Sequence, residues 1–418
     1  MKKDTGSKKE QSRAVMYEEL EAFARQKMQE FLQDILEQEV TEFLGRSKGQ
    51  RKSAVDEVTG YRNGYGKPRK LATMSGTITV RRPRVRDAEE RFESKALPLF
   101  AKRTKESGQM LSELYLHGLA MGDFELAMRG LLGDSVPLSG SSIERLKAKW
   151  QLEYEEWKRR DLSGLEVVYL WADGIYVKAG LERDKAALLV ILAALTDGRK
   201  IVLACESGYR ESKESWGAIL RDLKSRGLRL GKLTVADGHL GIWSALAEVH
   251  PEGKEQRCWN HKITNVLNAF PKKLRFEAAA QLKAMPYAKT KRACEKLRDA
   301  FIAKYEQHYP KAVQTLLRDW ERMVTFYSFP NEHWVHIRTT NVIESPFSSV
   351  RLRTDAAKRF KKVQNATAMI WKLLMVAEKR FRRFKGFELL KEVYHGKEFA
   401  DGVAVQMPSI IAAERIAA

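Results

Sequence analysis

Only three of the 418 residues are cysteine, Cys205, Cys258 and Cys294. They are too few and too scattered for a disulfide framework, which predicts a chain suited to a reducing compartment. Long apolar runs are also missing. The longest, Ala186 to Leu195, falls short of the roughly 18 residues that a membrane-spanning helix needs. The opening MKKDTGSKKEQ has lysines with no apolar segment behind them. A secretory signal is therefore not expected, and the reading is an intracellular, cytoplasmic protein, nucleoid-associated in a bacterium. Acidic residues are scarce, 54 against 75 basic ones, for a net charge of +21. A field of that sign gathers polyanions and makes nucleic acid the expected partner, with no membrane role. No repeat or low-complexity tract is present. At this length, a 44% apolar composition supplies material for two or three packed units.

Met16, Leu20, Phe23, Met28, Phe31, Ile35, Val40 and Phe43 recur near helical spacing before Gly45, which predicts one long amphipathic helix. Its apolar face packs either on its own domain or on a second copy of the chain. Residues 46 to 86 carry 12 Lys or Arg against Asp56 and Glu57, with TGYRNGYGKPRK followed by the strand TITVRRPRV. A basic β-hairpin region with Tyr61 and Tyr65 suits phosphate contact, so Arg62, Arg81, Arg82 and Arg84 are candidate DNA contacts. Three helical patterns follow: SGQMLSELYLHGLA, DFELAMRGLL and SSIERLKAKWQLEYEEWKRR. Their punctuation is that of a helix-turn-helix. Ser141 or Ser142 would cap the third helix and leave Arg145, Lys147 and Lys149 toward a major groove.

The period then changes. LEVVYLWADGIYVKA, AALLVILAAL and KIVLACES read as an antiparallel meander, the last two joined by Thr196-Asp197-Gly198-Arg199. The helix SWGAILRDLKSRG, the strand LTVAD, the helix HLGIWSALAEV and the strand KEQRCW complete an α/β pattern. Residues 262 to 337 are helical throughout and read as an insertion. PFSSVRLRT and ATAMIWKLLMVAEKRFRRF return to the core, and 338 to 385 hold 13 basic and three acidic residues. The last dozen residues have no pattern and are expected to be loose. The expected organisation is a multidomain α/β chain. It comprises an N-terminal helix with a basic β-hairpin region for dimerisation or DNA contact (1–98) and a helix-turn-helix-like DNA-binding domain (99–162). A catalytic core (163–261 and 338–386) follows, interrupted by an all-helical insertion (262–337), and then a tail (387–418).

An Asp in the first core strand, an Asp at the edge of a later strand and a Glu at a late helix can converge at one end of a sheet. Asp173, Asp237 and Glu344 fit, separated by 64 and 107 positions. Taken singly, each has an ordinary explanation as a turn residue or a helix-terminus acid. Three convergent carboxylates repel one another unless cations intervene. Magnesium suits them, because it keeps open positions for phosphate oxygens, and two such ions can hold both oxygens of an in-line displacement. Glu206, Glu211 and Glu332 are fallback acids.

The stretches YLWADGIYVKAG, ESWGAILRDLKSRGL, TVADGHLGIWSAL, QRCWNHKITNVLNAFPKK and RTTNVIESPFSSVRLRT closely resemble the bacterial Mutator-type transposases of insertion sequences. The likeness runs from about Tyr17 through GYRNGYG to RFRRF. It implies a DDE triad, here Asp173, Asp237 and Glu344, on a ribonuclease-H-like fold split by a helical insertion, with Mg²⁺ or Mn²⁺ as the expected ions. It also implies a Cys-x-x-His signature, Cys258 and His261. This is half a zinc ligand set, and so an active-site-lining or structural pair.

Arg351 lies seven positions after Glu344, nearly two helical turns, and is expected on the same face, against a phosphate. Arg353 is a further candidate DNA contact. Pro346 lacks an amide donor and disfavours helix at Ser345, so the helix is expected to begin there with Glu344 just outside it. The function implied is a transposase that binds element ends, cuts them and joins them to target DNA, acting as a dimer or larger oligomer. A DNA-binding regulator derived from one, or a metal-dependent nuclease without strand transfer, are the alternatives.

Overall fold

The structure, a computed structural model, describes residues 19–52, 58–98, 101–119, 123–132, 140–179, 186–208 and 210–405. Two compact units divide the chain, Met1–Leu146 and Lys147–Ala418. The boundary lies inside a helix.

In the first unit, helix α1 (Leu20–Leu44) buries Leu36, Val40 and Leu44, one turn apart, and Leu36 packs with Leu71, Ile78, Val80 and Leu97. The expected stripe is displaced at this end. Ile35 and Phe43 are half-buried, while Leu36 and Leu44 form the core face. At the other end Leu20, Phe23 and Phe31 are exposed. Gly45, at φ 64°, ends the helix as expected. Four short strands follow: β1 (Tyr61–Tyr65), β2 (Arg69–Thr73), β3 (Gly76–Val80) and β4 (Pro83–Arg86). β2 pairs with β3 and β1 with β4, both antiparallel. Gln33 of α1 replaces a missing neighbour strand: its amide accepts from Arg81 N at 3.0 Å and donates to Arg81 O at 2.8 Å. Backbone groups at that edge are thereby satisfied.

Helices α2 (Lys105–Leu116), capped by Thr104, and α3 (Phe124–Leu132) lead to α4 (Gly140–Lys158), which crosses the unit boundary. α4 starts at Gly140, so the expected cap residues Ser141 and Ser142 lie within its first turn.

The second unit is built on a five-stranded mixed sheet. Its strands are β5 (Val167–Val177), β6 (Ala186–Leu195), β7 (Lys200–Gly208), β8 (Leu233–Ala236) and β9 (Lys254–Arg257), in the order β7-β6-β5-β8-β9. β5, β6 and β7 form the expected antiparallel meander, and β8 and β9 extend it in parallel with β5. The β6–β7 turn depends on Gly198 at φ 83°, with Leu195 N–H bonded to Arg199 O at 2.9 Å. β6 is buried along almost its whole length, as a strand covered on both faces must be. Leu170 and Ala172 face Trp216, Leu220 and Leu223 of α5 (Lys213–Ser225) and Ile242, Trp243 and Leu246 of α6 (Leu240–Val249). Tyr169 and Trp171, of opposite parity, pack on His333 and Phe384.

From Trp259 to Ile337 the chain is helical. The α-helices are α7 (Trp259–Asn268), α8 (Arg275–Ala284), α9 (Lys291–Tyr305), α10 (Pro310–Leu317), α11 (Trp320–Val324) and α12 (Trp334–Ile337). This block is tied to the sheet edge. Gln256 and Trp259 side chains donate to Met323 O at 3.1 and 2.8 Å, and Gln256 accepts from Phe326 N at 2.8 Å. Helix α13 (Asn341–Ala357) then packs on β5, and α14 (Val363–Glu378) on β7. α15 (Leu390–Tyr394) and the hairpin β10 (Phe399–Ala400) and β11 (Val403–Ala404) follow. The expected loose terminus, residues 406–418, lies outside the described residues. Among the described residues no helix is long and apolar enough to cross a membrane.

Candidate active site

Strand register brings the first two acids together. Ala172 of β5 pairs with Ala236 of β8, and Ala236 with Arg257 of β9. Asp173, within β5, and Asp237 and Cys258, just past the ends of β8 and β9, each come one residue later and so lie at one level. Cys258 N–H still bonds Ala236 O, at 2.8 Å. Both acids sit in Ala-Asp-Gly, and each glycine leaves room for a neighbouring side chain. A Cβ on Gly174 would lie 2.5 Å from Glu211 Oε1. One on Gly238, at φ 104°, would lie 2.2 Å from Arg257 Nε. Asp173 accepts from Gly174 N at 2.8 Å and Asp237 from His239 N at 2.9 Å, which orients both carboxylates. A cavity of about 480 Å³ opens beside Asp237, lined also by Arg257, His261 and Asn265.

The third acid is placed differently from expectation. α13 starts at Asn341, with Pro346 buried inside it, and Glu344 lies in its first turn with its N–H on Thr340 O at 3.0 Å. The local proline rule is overridden because the helix start is anchored elsewhere. Buried Thr340 donates its N–H and its hydroxyl to Cys258 Sγ at 3.3 and 3.1 Å. That hydroxyl also reaches Glu344 Oε1, so one proton serves two acceptors. His261 Nδ1 stands 3.8 Å from the same Oε1. The Cys-x-x-His pair therefore packs directly against the expected third acid.

The charges confirm how crowded the site is. Burial, with Asp237 and Glu211 nearby, pushes the Asp173 carboxyl up to about 7, against the pull of the Gly174 N–H and His261. Glu211 is raised too, by burial and then by Asp237. His261 rises to about 9, first through the Cys258 sulfur and further through Glu344 and Asp237. His261 thus interacts with all three expected acids. Two donor sets have ligand atoms within 4.8 Å of one another: Cys258, His261 and Glu344, and Glu211, Asp237 and His239.

The remaining expected residues fall into three groups. Arg351 is exposed on α13, whereas Arg353 is buried at 2% exposure beside Val350 and Phe347, so its expected surface contact with DNA is not available. Arg62 pairs with Glu37 at 3.0 Å and bonds Thr41 at 2.7 Å, which makes it a strut between β1 and α1. Arg81 and Arg84 are exposed. Arg82 and Arg84 line a cleft of about 680 Å³ with Lys67, Arg69, Arg86 and Lys102. Arg145, Lys147 and Lys149 lie on α4, where Lys149 approaches Glu153 at 3.7 Å. Of the fallback acids, Glu206 pairs with Lys158 at 2.7 Å and Glu332 is exposed. Glu211 alone reaches the site. Sequence reasoning did not single out Thr340, Tyr176, His239 or Arg257, and only the repeated Ala-Asp-Gly hinted at tight packing after each Asp.

A family model described as "Transposase, Mutator family" matches residues 1–383. The chain belongs to that family. Similar proteins include the transposase for insertion sequence element IS6120 of Mycolicibacterium smegmatis, 43% identical over 72% of this chain and 94% of its own length. The transposase for IST2 of Acidithiobacillus ferrooxidans is 39% identical over 67% of this chain and 96% of its own. The transposase for ISRM5 of Rhizobium meliloti is 28% identical over 83% and 85%. The Mutator family resemblance read in the sequence is thereby shown, on a multidomain α/β chain.

Proposed function

We propose that this Mutator-family chain binds the terminal inverted repeats of an insertion sequence, cuts them and joins the 3′-hydroxyl to target DNA. Asp173, Asp237 and Glu344 are the catalytic acids of a ribonuclease-H-like core. The observation that carries the reading is the register of Ala172 with Ala236, which sets two aspartates side by side beneath a helix bearing a glutamate. Strand order β7-β6-β5-β8-β9, with the first three antiparallel and the last two parallel to β5, supports such a core.

The donor set fits divalent magnesium or manganese. All three acids offer oxygen, and Asp173 is buried among like charges that a cation would relieve. Bound there, a pair of such ions would supply Lewis-acid charge neutralisation at the scissile phosphate. Gly174 and Gly238 let the aspartates sit close to their neighbours, and the His239 and Gly174 amides hold the carboxylates in position. Thr340 and His261 hold Glu344. Arg351, two turns along α13, holds a phosphate beside the scissile one. Basic residues around the Arg82 and Arg84 cleft grip the duplex backbone. Joining two element ends requires at least two protomers.

Asp173→Asn, Asp237→Asn and Glu344→Gln, assayed with Mg²⁺ for cleavage and by gel shift on the same preparations, should lose cleavage and strand transfer and keep DNA binding. Near-normal cleavage by any one variant removes that residue from the triad.

A further inference from the structure

Glu211 belongs to neither β7 nor α5 but to the turn between them, one residue before the Ser212 cap of α5. Two glycines on either side hold it. Its carboxylate fills the space a Gly174 side chain would need, and a Cβ on Gly241 of α6 would lie 2.1 Å from Glu211 O. These glycines follow Asp173 and Asp237 closely, so the same two segments that carry the aspartates also fix Glu211. Tyr176 donates its hydroxyl to Glu211 Oε1 at 2.8 Å. Oε2 has no hydrogen-bond or ion-pair partner among the described residues, although the residue is only 7% exposed. A carboxylate on a residue this buried, beside Asp237 and offset only by the imidazoles of His239 and His261, is costly when charged.

We propose that Glu211 is a fourth carboxylate of the metal centre and shares one divalent ion with Asp237. Its oxygen, that of Asp237 and a ring nitrogen of His239 lie within 4.8 Å of one another. One ion with bonds of about 2.1 Å spans oxygens roughly 4 Å apart, so a small rotation of either carboxylate closes the set. Glu344 is held by Thr340 and His261 in the other donor set, which leaves Glu211 as the acid that completes the ion beside Asp237. Glu211 is reached from the sheet face opposite that of Asp173. Gly174 and Tyr176 share one parity of β5, and Asp173 shares the other with Trp171.

The inference rests on the reading of Asp237 as a metal ligand, and the experiment separates the two. Mn²⁺ binding to the full-length protein is measured by electron paramagnetic resonance and calorimetry for the parent, Glu211→Gln and Asp237→Asn. The expected result is a loss of about tenfold or more in Mn²⁺ affinity for both variants. Thermal unfolding of Glu211→Gln in EDTA should be no lower than the parent's, because a like charge is removed. Weakening in Asp237→Asn with parent affinity in Glu211→Gln overturns the role of Glu211 and leaves the aspartate reading intact. Parent affinity in both overturns the metal site itself. Should Glu211→Gln fail to fold, Glu211→Asp keeps the charge and withdraws it by one methylene. Reduced Mn²⁺ affinity there supports the proposal, and parent affinity overturns it.

Discussion

His261 Nδ1 and Glu344 Oε1 stand 3.8 Å apart, and the hydroxyl of Thr340 sits between that carboxylate and the Cys258 sulfur. The Cys-x-x-His pair thus meets Glu344 at the start of its helix. Its geometry is that of a bracket on a helix start, with the sulfur accepting from Thr340 and the imidazole facing the acid. Stray rotation of a glutamate with three side-chain torsions is what such a bracket suppresses.

Thr340→Val keeps the shape of the side chain and deletes its hydroxyl. Cleavage in single turnover should fall about 10- to 100-fold, as for other residues that orient a ligand. The accompanying loss of stability should be only about 1 kcal/mol, since one hydrogen-bonding group is removed. DNA affinity should not change. A parent cleavage rate would show that Glu344 is positioned without Thr340.

Metal-free protein should lose stability as pH rises, in two steps of the same sign. Asp173 ordinarily titrates at 3.8 and is pushed to about 7 in the fold. Between those values the folded state holds the proton and the unfolded state does not, so stability declines across that window. His261, ordinarily 6.5 and raised to about 9, contributes stability that is complete below 6.5 and lost as pH passes 9. Thermal unfolding in EDTA across pH measures both. Asp173→Asn should remove the lower step and His261→Asn the upper one. A parent profile unchanged by either variant would refute the assignments.

Arg351 and Arg353 are two residues apart yet should behave in opposite ways. Arg351→Ala should slow single-turnover cleavage roughly 10-fold or more, as expected for a lost charge-assisted bond. It should reduce the slope of log K against log salt by roughly one unit and leave the melting temperature unchanged. Arg353→Ala removes a buried stem packed among apolar residues, and should cost about 1–3 kcal/mol of stability. Equal melting temperatures for the two variants would contradict the burial that separates them.

Much of the sheet was legible because its signals are local: the apolar length of β6, the turn at Gly198 and the switch to β period near Leu165. The pairing of Asp173 with Asp237 needed only the right register. The start of α13 was not legible. A rule about the residue before proline competes there with hydrogen bonds to Cys258 from 82 positions away, and the distant contact wins. Arg353 was misread for a related reason, since basic composition says nothing about which side of a helix faces inward. Glu211 was one of three fallback acids. Its distinction lies in Gly174 and Gly241, whose missing side chains make room that no local pattern reveals.

The long helical block between β9 and α13 sets the timing of synthesis. As the chain leaves the ribosome, all five strands and both proposed aspartates can be complete before Asn341 has been made. Under the proposed triad, a nascent or prematurely terminated product would carry the sheet without the glutamate. On that reading, cutting would wait for the carboxy-terminal part of the chain, and an interrupted translation product would lack the third acid.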